Sequence, residues 1–121
     1  MSLSNYGEDA VLRLVREAAP FWLALFTDIP ADDGSGSEIE GGGYVRQPVT
    51  FGAPSGGVMA NATAIEFPTA ASDWGTALGW ALFDAPQGGN LWWSGTVEVP
   101  KALYTGDIYR VNPGSLQLAM D

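Results

Sequence analysis

Apolar and polar positions alternate in short runs along most of this chain, and its opening stretch departs from that habit. Tyr6, Ala10, Val11, Leu14, Val15 and Ala18 recur at i, i+3 and i+4 spacing, which draws one apolar stripe on a helix. The spacing predicts a helix over Asn5–Ala19. Asn5 is its expected cap, Glu8 three residues later would complete a capping box, and Pro20 stops it. Phe21–Phe26 (FWLALF) is a continuous apolar run of strand length and predicts a buried strand.

The rest of the pattern is that of strands and turns. Tyr44–Phe51 predicts a strand that Pro48 confines to a sheet edge or a bulge. Val58–Phe67 alternates weakly. Thr76–Asp84 alternates strongly, with Leu78, Trp80 and Leu82 on one face and Ala77, Gly79, Ala81 and Phe83 on the other. Pro86–Asn90 predicts a Gly-rich hairpin turn into Leu91–Val99, where Gly95 is the expected bulge. Asp107–Val111 and Ser115–Met120 predict a closing hairpin across Asn112, Pro113 and Gly114. About seven or eight strands at roughly 8–12-residue spacing indicate a mainly-β domain, a small antiparallel β-sandwich of jelly-roll type with one N-terminal helix. Residues 1–121 are expected to form a single domain. Asp28–Gly43, acidic and Gly-rich, has no periodicity and predicts a long loop of the kind that is mobile, functional or at an interface.

Composition narrows the function. Fourteen carboxylates against five cations give a net charge of −9, which repels nucleic acid and anionic membrane surfaces and favours solubility. MSLSNYGEDA has neither the basic nor the apolar region of a secretory leader, and no apolar run reaches the roughly 20 residues of a membrane span. Synthesis in the cytoplasm is expected. The chain has no Cys and no His, which removes Ser-His-Asp and Cys-His catalysis and argues against zinc. No cofactor is expected.

Carboxylate chemistry is what remains. Glu66, Asp84, Glu98 and Asp107 are the candidates for a glycosidase pair, though their places on outer strand faces and in turns have ordinary structural explanations. Asp28, Asp32, Asp33, Glu38 and Glu40 could offer oxygens to Ca²⁺, but their spacing is not that of an EF-hand and a solvated acidic loop accounts for them. Gly34, Gly36 and Gly41–Gly43 lack the following Lys and helix that a phosphate loop needs. Trp74, Trp92 and Trp93 could serve as core, as a subunit contact or as a platform for sugar rings. Trp92 and Trp93, adjacent on one strand, are expected to face opposite sides of the sheet.

The order of several segments carries a resemblance. MSLSNY with its helix is followed by FWLALFTDIPADDGSGSEIEGGGYVRQPVTF, then NATAIEFPTA, then SDWGTALGWALFDAPQGGNLWWSGTVEVPKALYTGD, and last SLQLAMD. In this order the chain resembles small virion proteins of tailed bacteriophages, commonly labelled phage tail fibre or minor tail proteins. The resemblance spans almost the whole chain. Two departures are visible: members often carry a longer insert between helix and first strand, where Pro20 here joins them directly, and Leu91–Ser94 is richer in Trp than usual. The resemblance implies a non-enzymatic structural protein of the virion that contacts other virion proteins and forms a homo-oligomer, a trimer by preference. Assembly contacts are then expected at Tyr6, Val11, Leu14 and Val15 of the helix, at Tyr44 and Arg46 after the long loop, and at Trp92 and Trp93. The acidic loop could also order on a partner. Two further possibilities are a capsid decoration, cement or head-fibre protein, and a module for host surface glycans.

Overall fold

In a computed structural model, residues 3–18 and 20–119 are described; the expected helix end at Ala19 and strand end at Met120 lie outside them. The helix α1 spans Asn5–Glu17. Its cap is Ser4 rather than Asn5: the Gly7 N–H donates to Ser4 Oγ at 3.1 Å, the bond that satisfies an orphan donor of the first turn. Both residue types cap well, and the one whose side chain reaches the third helical amide prevails.

The helix meets its own domain through Leu12, a residue outside the apolar stripe, and through Val15 at the edge of that stripe. Leu12 is its one buried residue, at 0% exposure, whereas Tyr6 is 80% and Leu14 66% exposed. At about 100° per residue, Leu14 and Ala10 lie nearly opposite Leu12. Two polar anchors set the rotation. Asp9 Oδ1 accepts from the Gly57 N–H at 2.7 Å, and Arg16 Nε donates to the Phe51 carbonyl at 3.0 Å.

Eight strands follow: β1 (Phe21–Phe26), β2 (Gln47–Val49), β3 (Val58–Ala60), β4 (Ile65–Glu66), β5 (Gly75–Phe83), β6 (Leu91–Leu103), β7 (Arg110–Val111) and β8 (Gln117–Ala119). The mainly-β antiparallel class is therefore observed. Four strands form a sheet in the order β2-β1-β5-β6, and two ribbons, β3-β8 and β4-β7, lie apart from it. Pro48 sits in β2, which pairs only with β1 at the sheet edge, a position where its missing N–H is tolerated.

The closing hairpin is not formed. β7 pairs with β4 and β8 with β3, so the two last strands return to the middle of the chain and not to each other. Asn61 is the reason. It interrupts the single strand expected over Val58–Phe67 and takes hold of the Asn112–Leu116 turn: Nδ2 donates to the carbonyls of Thr63 (2.8 Å) and Asn112 (3.0 Å), while Oδ1 accepts from the Leu116 N–H at 2.9 Å. Asn61 is the one buried polar side chain among the described residues, and each of its polar atoms is matched, as burial demands.

The sheet is covered on both faces. One face carries Phe21, Leu23, Leu25 and Leu82, which join Met59, Ile65 and Leu118 of the ribbons and Leu12 of α1 in the main cluster. The other carries Ala24, Phe26, Ala81 and Phe83, with Leu91 alongside. Here the acidic loop is the cover. Ile39 N–H donates to the Leu25 carbonyl and Thr27 N–H to the Ser37 carbonyl, so the loop folds back beside the end of β1. A side chain on Gly79 would collide with the Asp28 carbonyl and the Pro30 ring, and one on Gly36 would meet the Phe26 ring. The long acidic loop is packed and hydrogen-bonded, with Ile39 buried in the main cluster.

Candidate functional site

The loop is fastened by one polar cluster. Glu38 Oε2 accepts from Arg46 Nε at 2.9 Å and from the Tyr44 hydroxyl at 2.7 Å, and Glu38 Oε1 accepts from Arg46 NH2 at 2.9 Å. The remaining guanidinium nitrogen donates to the carbonyls of Ala85 and Gly88 in the β5–β6 hairpin. The guanidinium also lies 3.9 Å from the centre of the Phe83 ring. Only 8% of the Arg46 side chain is exposed. The two-pronged hydrogen bond to Glu38 raises the pKa of Arg46 further above its already high value. Tyr44 accepts from the Leu25 N–H at 3.0 Å, stacks on Phe67 and meets Trp74 edge-on. Burial, reinforced by the Glu38 carboxylate, pushes its phenol pKa well above 10. Tyr44 and Arg46 thus spend their polar groups inside the chain, tying the loop to the sheet.

The helix residues divide. Val15 packs against the main cluster, and Val11 is half-buried. Tyr6 and Leu14, with Leu3 just before the cap, present exposed apolar side chains to solvent.

The tryptophans depart from strict alternation. Phe83 pairs with Leu91 and Leu82 with Trp93, so Trp92 is an extra residue in a β-bulge. Both indoles consequently border the main cluster: Trp93 packs against it, and Trp92 meets Phe21 edge-on at 5.3 Å. Trp92 stays 44% exposed, its Nε1 donating to Asp84 Oδ2 at 3.1 Å. Trp74 is buried, with Nε1 donating to the Gly42 carbonyl, and is no platform for a ligand.

Gly95, the expected bulge, is regularly paired with Trp80. Its missing side chain makes room for the Trp80 indole, which lies within 2.6–2.7 Å of where a Cβ would stand. The second irregularity of β6 lies further on. Ala77 pairs with Lys101 and Gly79 with Thr96, so Val97–Pro100 loop out opposite Leu78. Between this bulge, the β4-β7 ribbon and the Asn112–Gln117 turn runs a groove of about 700 Å³. Trp80, Tyr109, Glu98, Arg110, Asn112 and Gln117 are among its walls.

Three of the four candidate carboxylates are engaged in local contacts. Glu66 lies 3.9 Å from Arg110 on the exposed ribbon, Asp84 closes the hairpin by accepting from Asn90 and Trp92, and Asp107 accepts from the Tyr104 N–H. Glu98 stands in the groove. The hydrogen bonds to Asn90 and Trp92 lower the Asp84 pKa, and Ser35 does the same for Asp33. Among the described residues no group of three or more acidic side chains is placed to hold a metal ion.

A model of the family described as podophage GP4 fiber I protein gp80 matches residues 2–119, nearly the whole chain. The chain belongs to this phage fibre family. No curated protein matches it. The family is structural, so this fibre protein is a component of a virion and associates with other virion proteins. A fibre role gives meaning to surfaces more than to clefts with reactive groups. The exposed helix face was legible in the sequence as an apolar stripe and, through the resemblance, as a candidate contact. The groove was not legible, but one signal pointed to it: Trp80 facing a glycine across a hairpin whose Gly-Gly-Asn turn sets the register.

Proposed function

We propose that this chain is a non-enzymatic tail-fibre component, made in the host cytoplasm, that assembles as a homotrimer and acts in attachment of the particle to its host. The observation that supports this most is the outer face of α1. A helix anchored to its own domain through Leu12, Asp9 and Arg16 leaves Leu3, Tyr6 and Leu14 exposed, and large apolar side chains held outward on an otherwise acidic protein fit a contact between subunits. The test is the position and number of copies in a particle reconstruction. A fibre component sits at the tail in a small multiple of three. Hundreds of copies spread over the capsid would instead establish a decoration protein and overturn the proposal. In solution the trimer is checked by light scattering, where the wild type should have the mass of three 12.7 kDa chains and a Tyr6→Asp, Leu14→Asp double variant that of one.

A further inference from the structure

The groove beside the β6 bulge has the makings of a ligand site. Its volume, about 700 Å³, falls within the roughly 300–1,000 Å³ of small-molecule sites. Leu23, Leu25 and Leu116 lie at its base, and Trp80 lays its indole over Gly95 beside the open space. Tyr109 is half-buried, its ring edge-on to Phe67. Around this apolar floor stand hydrogen-bonding groups that the fold leaves unused. The Tyr109 hydroxyl, the Glu98 carboxylate and the hydroxyls of Thr96 and Ser115 make no side-chain hydrogen bond among the described residues, unlike Arg110 and Gln117, which bond to Asn112 and to the Gly114 carbonyl. The bulge itself places Glu98 here, since regular pairing would have continued the ladder through Val97–Pro100.

The chemistry of these walls selects the ligand. A polyanion is excluded by Glu98 and by the net charge of −9. A purely apolar ligand would cover the Tyr109 hydroxyl and Glu98 without pairing them, and a polar group buried unpaired loses its bonds to water with nothing in return. A molecule with one flat C–H face and a rim of hydroxyls satisfies both halves of the groove. We propose that this groove binds a neutral, hexose-containing glycan, with one sugar ring laid on Trp80 and its hydroxyls bonded to Glu98 and Tyr109. The carboxylate accepts two hydroxyls, a charge-assisted arrangement, and the phenol donates or accepts as the sugar requires. This inference rests on the attachment role proposed above and supplies its ligand class.

The test uses the isolated full-length protein labelled with ¹⁵N. Maltohexaose, cellohexaose, mannohexaose and, as an anionic counterpart, an alginate hexamer are titrated separately. The expected result is saturable shifts of the Trp80 indole N–H and of Tyr109 with at least one neutral probe. Glu98→Gln and Tyr109→Phe, which leave the apolar floor intact, should weaken that probe about tenfold or more and about threefold respectively, the scale of one charged and one neutral hydrogen bond. Trp92→Leu, outside the groove, should leave affinity unchanged. The proposal is overturned if no neutral probe shifts Trp80 and Tyr109, if both groove variants bind like the wild type, or if alginate binds more tightly than every neutral probe. These readouts need no particle, so their failure leaves the fibre assignment standing. A capsid location in the particle would likewise leave them measurable.

Discussion

Arg46 shows how much a single residue can be misjudged from its type. An arginine after a Gly-rich loop reads as a surface contact, yet its guanidinium makes two bonds to Glu38 and two to hairpin carbonyls and stacks on Phe83. Nothing local in the sequence shows this, because its partners lie eight and about forty residues away. Arg46→Ala strands a shielded carboxylate and frees the loop, so a loss of about 3 kcal/mol is expected in urea unfolding. Arg46→Lys should recover less than half of that loss, since an ammonium cannot reproduce the planar fork. Tyr44 contributes a pH dependence of definite sign. Its folded pKa is raised, so its contribution is complete below about pH 10, where the phenol of the unfolded chain ionises, and it is lost as pH rises beyond that point. Unfolding midpoints between pH 8 and 11 should fall on the alkaline side, and less steeply in Tyr44→Phe. Asp84 and Asp33 act on the acid side: their lowered pKa values give stability that is present at neutral pH and lost as pH falls below about 4.

At the scale of elements, the helix and the β5–β6 hairpin were legible in different degrees. The hairpin's strands and its Gly-Gly-Asn turn were plain because strand alternation and turn chemistry are local. The two bulges were not, because a bulge is a mismatch between two strands and belongs to neither alone. The helix was plain in extent but not in rotation: its sequence draws one apolar stripe, yet Leu12, outside that stripe, is the residue buried, with Asp9 and Arg16 bonded to Gly57 and Phe51. The rotation is measurable. Leu12→Ala should cost about 2–5 kcal/mol as a core truncation, and Leu14→Ala less than about 0.5 kcal/mol in the monomer. Equal losses would place the helix on its other face. In the hairpin, Gly95→Val drives a side chain into the Trp80 indole and should cost about 1–3 kcal/mol, with a change in the near-ultraviolet Trp signal.

For the whole molecule, net charge bears on the proposed trimer. A net charge of −9 on each subunit opposes association, and salt screens it over a Debye length of about 10 Å at 0.1 M. The mass of the proposed trimer in light scattering should therefore persist to lower protein concentration at 0.5 M NaCl than at 0.02 M; the reverse order would point to ion pairs, and not the apolar helix face, as the contact. The sequence by itself determined the strand-rich class, the single helix, the FWLALF strand, the central hairpin, the excess acidity and the order of segments shared with phage fibre proteins. All of these are carried by local periodicity, turn chemistry or composition. Only the tertiary structure decided that the acidic loop roofs the second sheet face, that the last two strands return to β3 and β4 through Asn61, and that a bulge sets both Trp92 and Trp93 on the main cluster. Each of these depends on partners distant in sequence. Such partners are chosen by the burial of apolar faces and the satisfaction of buried polar groups across the whole fold.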